Sequence, residues 1–131
     1  MTLLFSSFSV VSLNVRHIRD PHRRATLLPL LAGTDILLLQ ETHHADRIDT
    51  GPLFPISHFS AAHTGRGGVA ILLSQRLSRV VTHKAVVLDY DDRALAVRLH
   101  LYDGRTIFCA SLLRSAWLAG GATRRFSRAC F

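Results

Sequence analysis

The sequence predicts an α/β (α+β) fold built on a mixed sheet, and three observations predict it. Two apolar runs flank a helical stretch within about 35 residues, the size of a strand–helix–strand unit. From residue 56 onward, short apolar segments are separated by turn-forming clusters, which is the pattern of a β-meander. The 131 residues are 48% hydrophobic and 19% charged, a globular composition that argues against disorder and for one core.

The first strand is read over Phe8–Val15, short and rich in β-branched residues. Asp20-Pro21 is a helix-start signal, an N-cap followed by proline at the first helical position. Apolar residues at 27, 28, 30 and 31 then form one helical face, with Pro29 expected to shorten or kink the helix and Gly33 to stop it. Asp35–Gln40 is nearly all apolar, as in a strand buried on both faces. Thr42–Pro55 is read as a polar loop with Gly51-Pro52. Strands are expected at Ile56–Ala62, Val69–Leu73, Val80–Leu88, Ala94–Leu101 and Thr106–Ser111. The turns between them fall at Thr64–Gly68, Asp89–Asp92 and Tyr102–Arg105, the last closing a hairpin. From Leu112 no period of either kind persists.

Charge and cysteine content narrow the function classes. The formal net charge is +7, but Arg114, Arg124, Arg125 and Arg128 lie after residue 112 with no acid beside them. The high basicity is partly an effect of this end, and is weak support for nucleic-acid binding by the folded part. No apolar run reaches the ~18 residues that span a bilayer, so no membrane partner is expected. Met1–Phe5 lacks the features of a signal peptide. Cys109 and Cys130 are read as free thiols, which points to an intracellular, cytoplasmic or nuclear site rather than secretion.

Two strand ends carry the chemistry, Ser12-Leu13-Asn14 and Leu38–His43. Ligands collect at the carboxyl ends of strands in α/β sheets. Glu41, the single glutamate of the chain, follows a doubly buried strand and therefore stands on a rigid base. Magnesium takes such hard oxygen ligands, one or two carboxylates with water and substrate phosphate completing the shell. If the two strands are parallel neighbours, Asn14 lands beside Glu41. Without further context Glu41 reads as a solvated loop acid and Asn14 as a turn residue. His17, His22, His43 and His44 have no zinc-ligand spacing and read as solvated loop histidines. Gly65-Arg66-Gly67-Gly68 lacks a phosphate-loop Lys-Ser/Thr and reads as a hairpin turn. Arg16, Arg19, Arg23 and Arg24 fit a phosphate-contacting edge or a solvated helix face equally well.

Ser12-Leu13-Asn14-Val15, Asp35–His43 and Gly67–Leu72 together resemble the endonuclease/exonuclease/phosphatase superfamily. The likeness is closest to the apurinic-like endonuclease domain of LINE-type retrotransposons, which carries these blocks in this order beside a reverse transcriptase. It covers about residues 8–111. The resemblance implies the N-terminal half of a four-layered α/β sandwich with a mixed, mostly antiparallel sheet. It implies a hydrolase that cleaves DNA phosphodiesters with Mg (or Mn). It places the metal on Glu41, with Asn14 beside it as a catalytic residue; Arg16 enters as a candidate nucleic-acid-binding residue from the arginine edge, not from the resemblance. The family usually has Asn or Asp where this chain has Arg16.

The family's second half also supplies an Asp-x-Asn pair, a Tyr-Ala-Pro-like block and a Ser-Asp-His. This sequence has no Asp-x-Asn, no acid after Asp103 and no histidine after His100. Residues 1–111 are therefore expected to be a partial domain and 112–131 a non-family tail. Leu113-Arg114-Ser115-Ala116 can be encoded so that a one-base shift reads Tyr-Ala-Pro, which makes a frameshift possible. The expected function is a truncated Mg-dependent DNA endonuclease domain, inactive alone and holding its metal weakly. The alternatives are a non-catalytic, basic nucleic-acid-binding fragment, or a fragment of a lipid or inositol phosphatase of the same superfamily. Only one sheet's worth of strands is expected. Its inner face, drawn from Val10, Leu38, Val69, Ile71 and Val97, would lack a cover and promote a molten state or self-association through the exposed face.

Overall fold

The computed structural model describes residues 7–43, 48–60, 67–90 and 93–113, together with the backbone of 129–130. β1 (Val10–Asn14) leads through α1 (Pro21–Leu30) to β2 (Ile36–Gln40), and the two strands pair in parallel. β3 (Ile56–Ser60) and β4 (Val69–Leu73) form an antiparallel pair, and β4 also pairs antiparallel with β2. The first sheet thus runs β1-β2-β4-β3. After α2 (Gln75–Ser78), the strands β5 (Val81–Tyr90), β6 (Ala94–Leu101), β7 (Thr106–Leu112) and β8 (Ala129–Cys130) make a second, wholly antiparallel sheet.

The second sheet overturns the expectation of an uncovered inner face. Ile36, Leu38, Val69, Ile71 and Leu73 of the first sheet pack against Leu95, Val97, Leu99, Leu101, Ile107 and Cys109 of the second. Val97, read as a neighbour of Val69 in one sheet, belongs to the opposite layer. Strand periodicity shows which residues share a face but not which sheet a strand joins. Two elements were missed, α2 and the short β8, which pairs with β7 in the stretch read as having no regular structure. Ser74 caps α2 by accepting from the Leu77 amide at 3.1 Å, and the helix carries the chain out of the first sheet. The meander beyond it pairs with itself through short turns, which costs less loop closure than adding to a distant edge. The ground for expecting a molten state therefore falls away.

The outer face of the first sheet is covered as well. Leu37 and Leu39 of β2 pack with Ala70 and Leu72 of β4 against Leu28 of α1 and against Val15, Ile18, Ile48 and Phe54. β2 is buried on both faces, as its apolar run predicts. α1 begins where expected, with Asp20 accepting from the His22 amide at 2.9 Å and Pro21 opening the helix. Pro29 sits in the last turn, where the helix has few bonds left to lose. Gly33 is not a left-handed cap: the chain closes through Leu31 and Ala32 amides on the Leu28 and Pro29 carbonyls. Leu112 completes β7, and the Leu113 amide bonds the Arg93 carbonyl. Residues 114–128 and the turn residues 61–66 and 91–92 lie outside the described residues. Among the described residues, no helix is long and apolar enough to cross a membrane.

Candidate active site

The parallel register pairs Asn14 with Gln40, so Asn14 and Glu41 stand at neighbouring strand ends. The backbone around them continues the pairing beyond the strands. Val15 and Ile18 amides bond the Gln40 and Thr42 carbonyls at 3.0 and 3.1 Å. On the other side, Thr42 and His43 amides bond the Gly68 and Gly67 carbonyls at 3.1 and 2.9 Å. The segment that carries Glu41 is therefore held on both flanks, by the post-β1 chain and by the residues leading into β4.

The backbone here is bent in an uncommon way. Arg16, Glu41 and His43 have φ of 62°, 56° and 54°, and these are the positive-φ non-glycine residues of the described chain. Gly67 and Gly68 beside them, at 76° and 86°, supply the left-handed turn that glycine takes without Cβ cost. A side chain in this region costs of order 1 kcal/mol or more, and such residues cluster where function demands a particular direction.

The donor set follows from these positions. Asn14 is exposed, and its Oδ1 accepts from the Arg16 amide at 3.0 Å; no partner of its amide nitrogen is found among the described residues. Glu41 is half-buried, and no hydrogen bond or ion pair to its carboxylate is found among the described residues. Two buried polar atoms on the same two segments, His17 Nδ1 and Thr42 Oγ1, likewise lack hydrogen-bond partners. Glu41 by itself offers one hard oxygen donor, of the kind used by a cation that keeps most of its water. This does not fit zinc, since no three His, Cys, Asp or Glu side chains gather among the described residues.

A residue that sequence reasoning did not single out lies directly beneath. The Gln40 amide donates to the Leu38 carbonyl at 2.9 Å and to the Ser111 hydroxyl at 3.1 Å, with the Ser12 hydroxyl at 3.2 Å. Ser111 in turn donates to the Leu39 carbonyl at 2.7 Å. β1, β2 and β7 are thereby joined across the two sheets, one residue before Glu41. The signal was present in the sequence: Gln40 is the one polar residue ending an apolar strand.

Of the four arginines read as a phosphate edge, two are spent internally. Arg23 donates to the His17 and Val15 carbonyls, both at 2.8 Å. Arg24 donates to the Ile18 and Arg19 carbonyls at 2.8 and 2.9 Å. They clamp the loop that follows Asn14. Arg16 and Arg19 are exposed. Asp46 and His44 lie outside the described residues.

The architecture is a two-sheet α+β sandwich with a carboxylate and an amide at neighbouring parallel strand ends. The model of the endonuclease/exonuclease/phosphatase family matches residues 11–129, and the chain belongs to that family. Comparison with curated proteins finds no relative that matches.

Proposed function

We propose that this chain carries one half of a divalent-metal-dependent phosphodiesterase site, of the DNA endonuclease type found in LINE retrotransposons. The supporting observation is the juxtaposition of Asn14 and Glu41 at neighbouring parallel strand ends, with Glu41 on a left-handed backbone and its carboxylate without a hydrogen-bond partner among the described residues. Glu41 is the residue to hold Mg²⁺ or Mn²⁺, and the family to which the chain belongs generally relies on such ions. The ion, when bound, supplies charge stabilisation for the phosphoryl oxygens. Asn14 presents its amide nitrogen as a donor toward a phosphate oxygen. Arg16 extends into solvent beside it, a cation at the edge where a nucleic-acid backbone would pass.

The same reading holds that these 131 residues do not cleave DNA by themselves. Asp-x-Asn and Ser-Asp-His, which the family uses for the base and the leaving-group side, do not occur in the sequence. A purely electrostatic nucleic-acid binder is less well supported, because Arg23 and Arg24 give their guanidinium donors to backbone carbonyls. The test is a supercoiled-plasmid nicking assay with the purified chain in Mg²⁺ and in Mn²⁺. No nicking above the buffer control is expected. Metal-dependent nicking that disappears in Glu41→Ala would show that this chain assembles a complete site.

A further inference from the structure

The long edge of the second sheet matches a copy of itself. β5 is the longest strand and the outermost of its sheet, so one row of its backbone N–H and C=O groups has no strand beside it among the described residues. Val86, Val87, Leu88 and Tyr90 on this edge are 49%, 47%, 47% and 56% exposed. A long exposed apolar edge is a template for strand addition.

The register with β6 fixes which way each side chain of β5 points. Lys84, Val86 and Asp89 oppose Leu99, Val97 and Leu95, which are buried between the sheets. His83, Ala85, Leu88 and Tyr90 oppose His100, Arg98, Ala96 and Ala94, which belong to the outer side. Val87 has no partner on β6; the irregularity there shifts the alternation by one residue.

We propose that this edge joins a second copy of the chain in an antiparallel pair, with a two-fold axis between Val86 and Val87. In that register Lys84 opposes Asp89 of the second copy, His83 opposes its Tyr90, Ala85 its Leu88 and Val86 its Val87. Partners across an antiparallel pair must share a face. A regular strand centred between two residues cannot meet that condition. The skipped residue at Val87 restores it: Lys84 and Asp89 share the inner side, and the other flanking pairs share the outer side. The contact is self-complementary in charge, one lysine to one aspartate on each side of the axis, as an isologous interface requires. Asp89 accepts from Ser60 through Oδ1, so Oδ2 remains for the lysine. Lysine and bulges on an edge strand usually prevent pairing. Here both fit the symmetric pair.

Sedimentation equilibrium from about 5 to 500 µM, bracketing the weak affinity expected of a small interface, reads the association directly. The salt is kept near 0.3 M because two copies carrying +7 each repel at low ionic strength. A monomer–dimer equilibrium is expected for the natural chain. Lys84→Asp should weaken it at least about tenfold by placing like charges opposite each other, and Lys84→Asp/Asp89→Lys should restore it. Val87→Lys, at an exposed position on the axis, should weaken it without needing Asp89 altered. Amide exchange in residues 83–90 should slow as concentration rises. Phe108→Lys, on the outer face of the second sheet, should leave association unchanged. A monomer throughout the range, a dimer indifferent to Lys84→Asp, or a dimer broken by Phe108→Lys would each overturn the proposal.

Discussion

β2 begins with one carboxylate and ends beside another, and the two are treated in opposite ways. Asp35 is 2% exposed and accepts five hydrogen bonds: from the Ser9 amide and hydroxyl, from the Ser74 hydroxyl, and from Arg76 Nε and Nη2. The Arg76 contact is a two-pronged ion pair with its closer distance at 2.6 Å. Glu41 has a left-handed backbone, is half-buried and has no partner among the described residues. The amino end of the strand spends its carboxylate on joining β1, β2 and α2. The carboxyl end keeps its carboxylate available at the cost of local strain. A carboxylate at a strand end is thus not a site by virtue of position; it becomes a candidate where the fold declines to satisfy it.

The sharpest test of this contrast separates activity from stability. In a domain completed with a family second half after Ser111, Glu41→Ala should lower the DNA-nicking rate on the order of 10²-fold or more, as loss of a metal ligand does. Its urea-unfolding midpoint should barely move. Equal nicking rates for the completed domain and its Glu41→Ala form would show that the metal ligand has been assigned to the wrong residue.

Asp35→Ala should do the reverse. It removes the acceptor of the buried Ser74 hydroxyl and the ion-pair partner of Arg76, and should cost about 2–4 kcal/mol in urea unfolding, with nicking by the completed domain retained wherever it remains folded. A loss below about 0.5 kcal/mol would mean that this network is a surface feature.

The pH dependence tests the Asp35 end further. Burial pushes the Asp35 carboxyl up, but the hydrogen bonds from Arg76, the Ser9 amide and Ser74, with the Arg76 charge, hold it below the usual carboxylate range. A carboxylate lowered in the folded state contributes stability above its unfolded value of about 3.9. That contribution is lost as pH falls through the lower folded value. The chain should therefore lose stability on acidification below about pH 4, and Asp35→Asn should flatten this limb of the stability–pH curve. An unchanged acid limb in Asp35→Asn would assign it to other carboxylates.

The bridge beneath the site gives a smaller effect. Gln40→Leu removes the amide between the sheets and leaves the Ser111 and Ser12 hydroxyls with fewer partners. About 1–2 kcal/mol of stability should be lost, read by thermal unfolding. The smallest change belongs to the strained backbone. Glu41→Gly should raise stability by up to about 1 kcal/mol, because glycine takes a φ near +56° without steric cost. Destabilisation by Glu41→Gly would mean that the left-handed turn is not the strained element.

Much of this was legible in the sequence because it is local. The apolar run 36–39 fixes a strand buried on both faces, since each face of a strand needs its own apolar set. Asp20-Pro21 fixes where α1 starts, since its capping bond spans only two residues. Glu41 stood out as the acid after that strand, but its reading as a metal ligand came from the family resemblance, since its position alone reads as a solvated loop acid. Alternation likewise marks β6 and β7 and their inward faces.

The tertiary structure alone decided three matters, each a contact between residues distant in sequence. It put the meander in a second sheet over the first, because pairing is set by turn closure and by α2, and neither leaves a trace in strand periodicity. It joined Gln40 to Ser111 and Asp35 to Arg76, across 71 and 41 residues of chain. And it tied Arg23 and Arg24 to the backbone carbonyls of the loop after Asn14, where charge counting had them facing only solvent or phosphate. Side-chain chemistry states what a residue offers; only packing determines whether the offer is already taken.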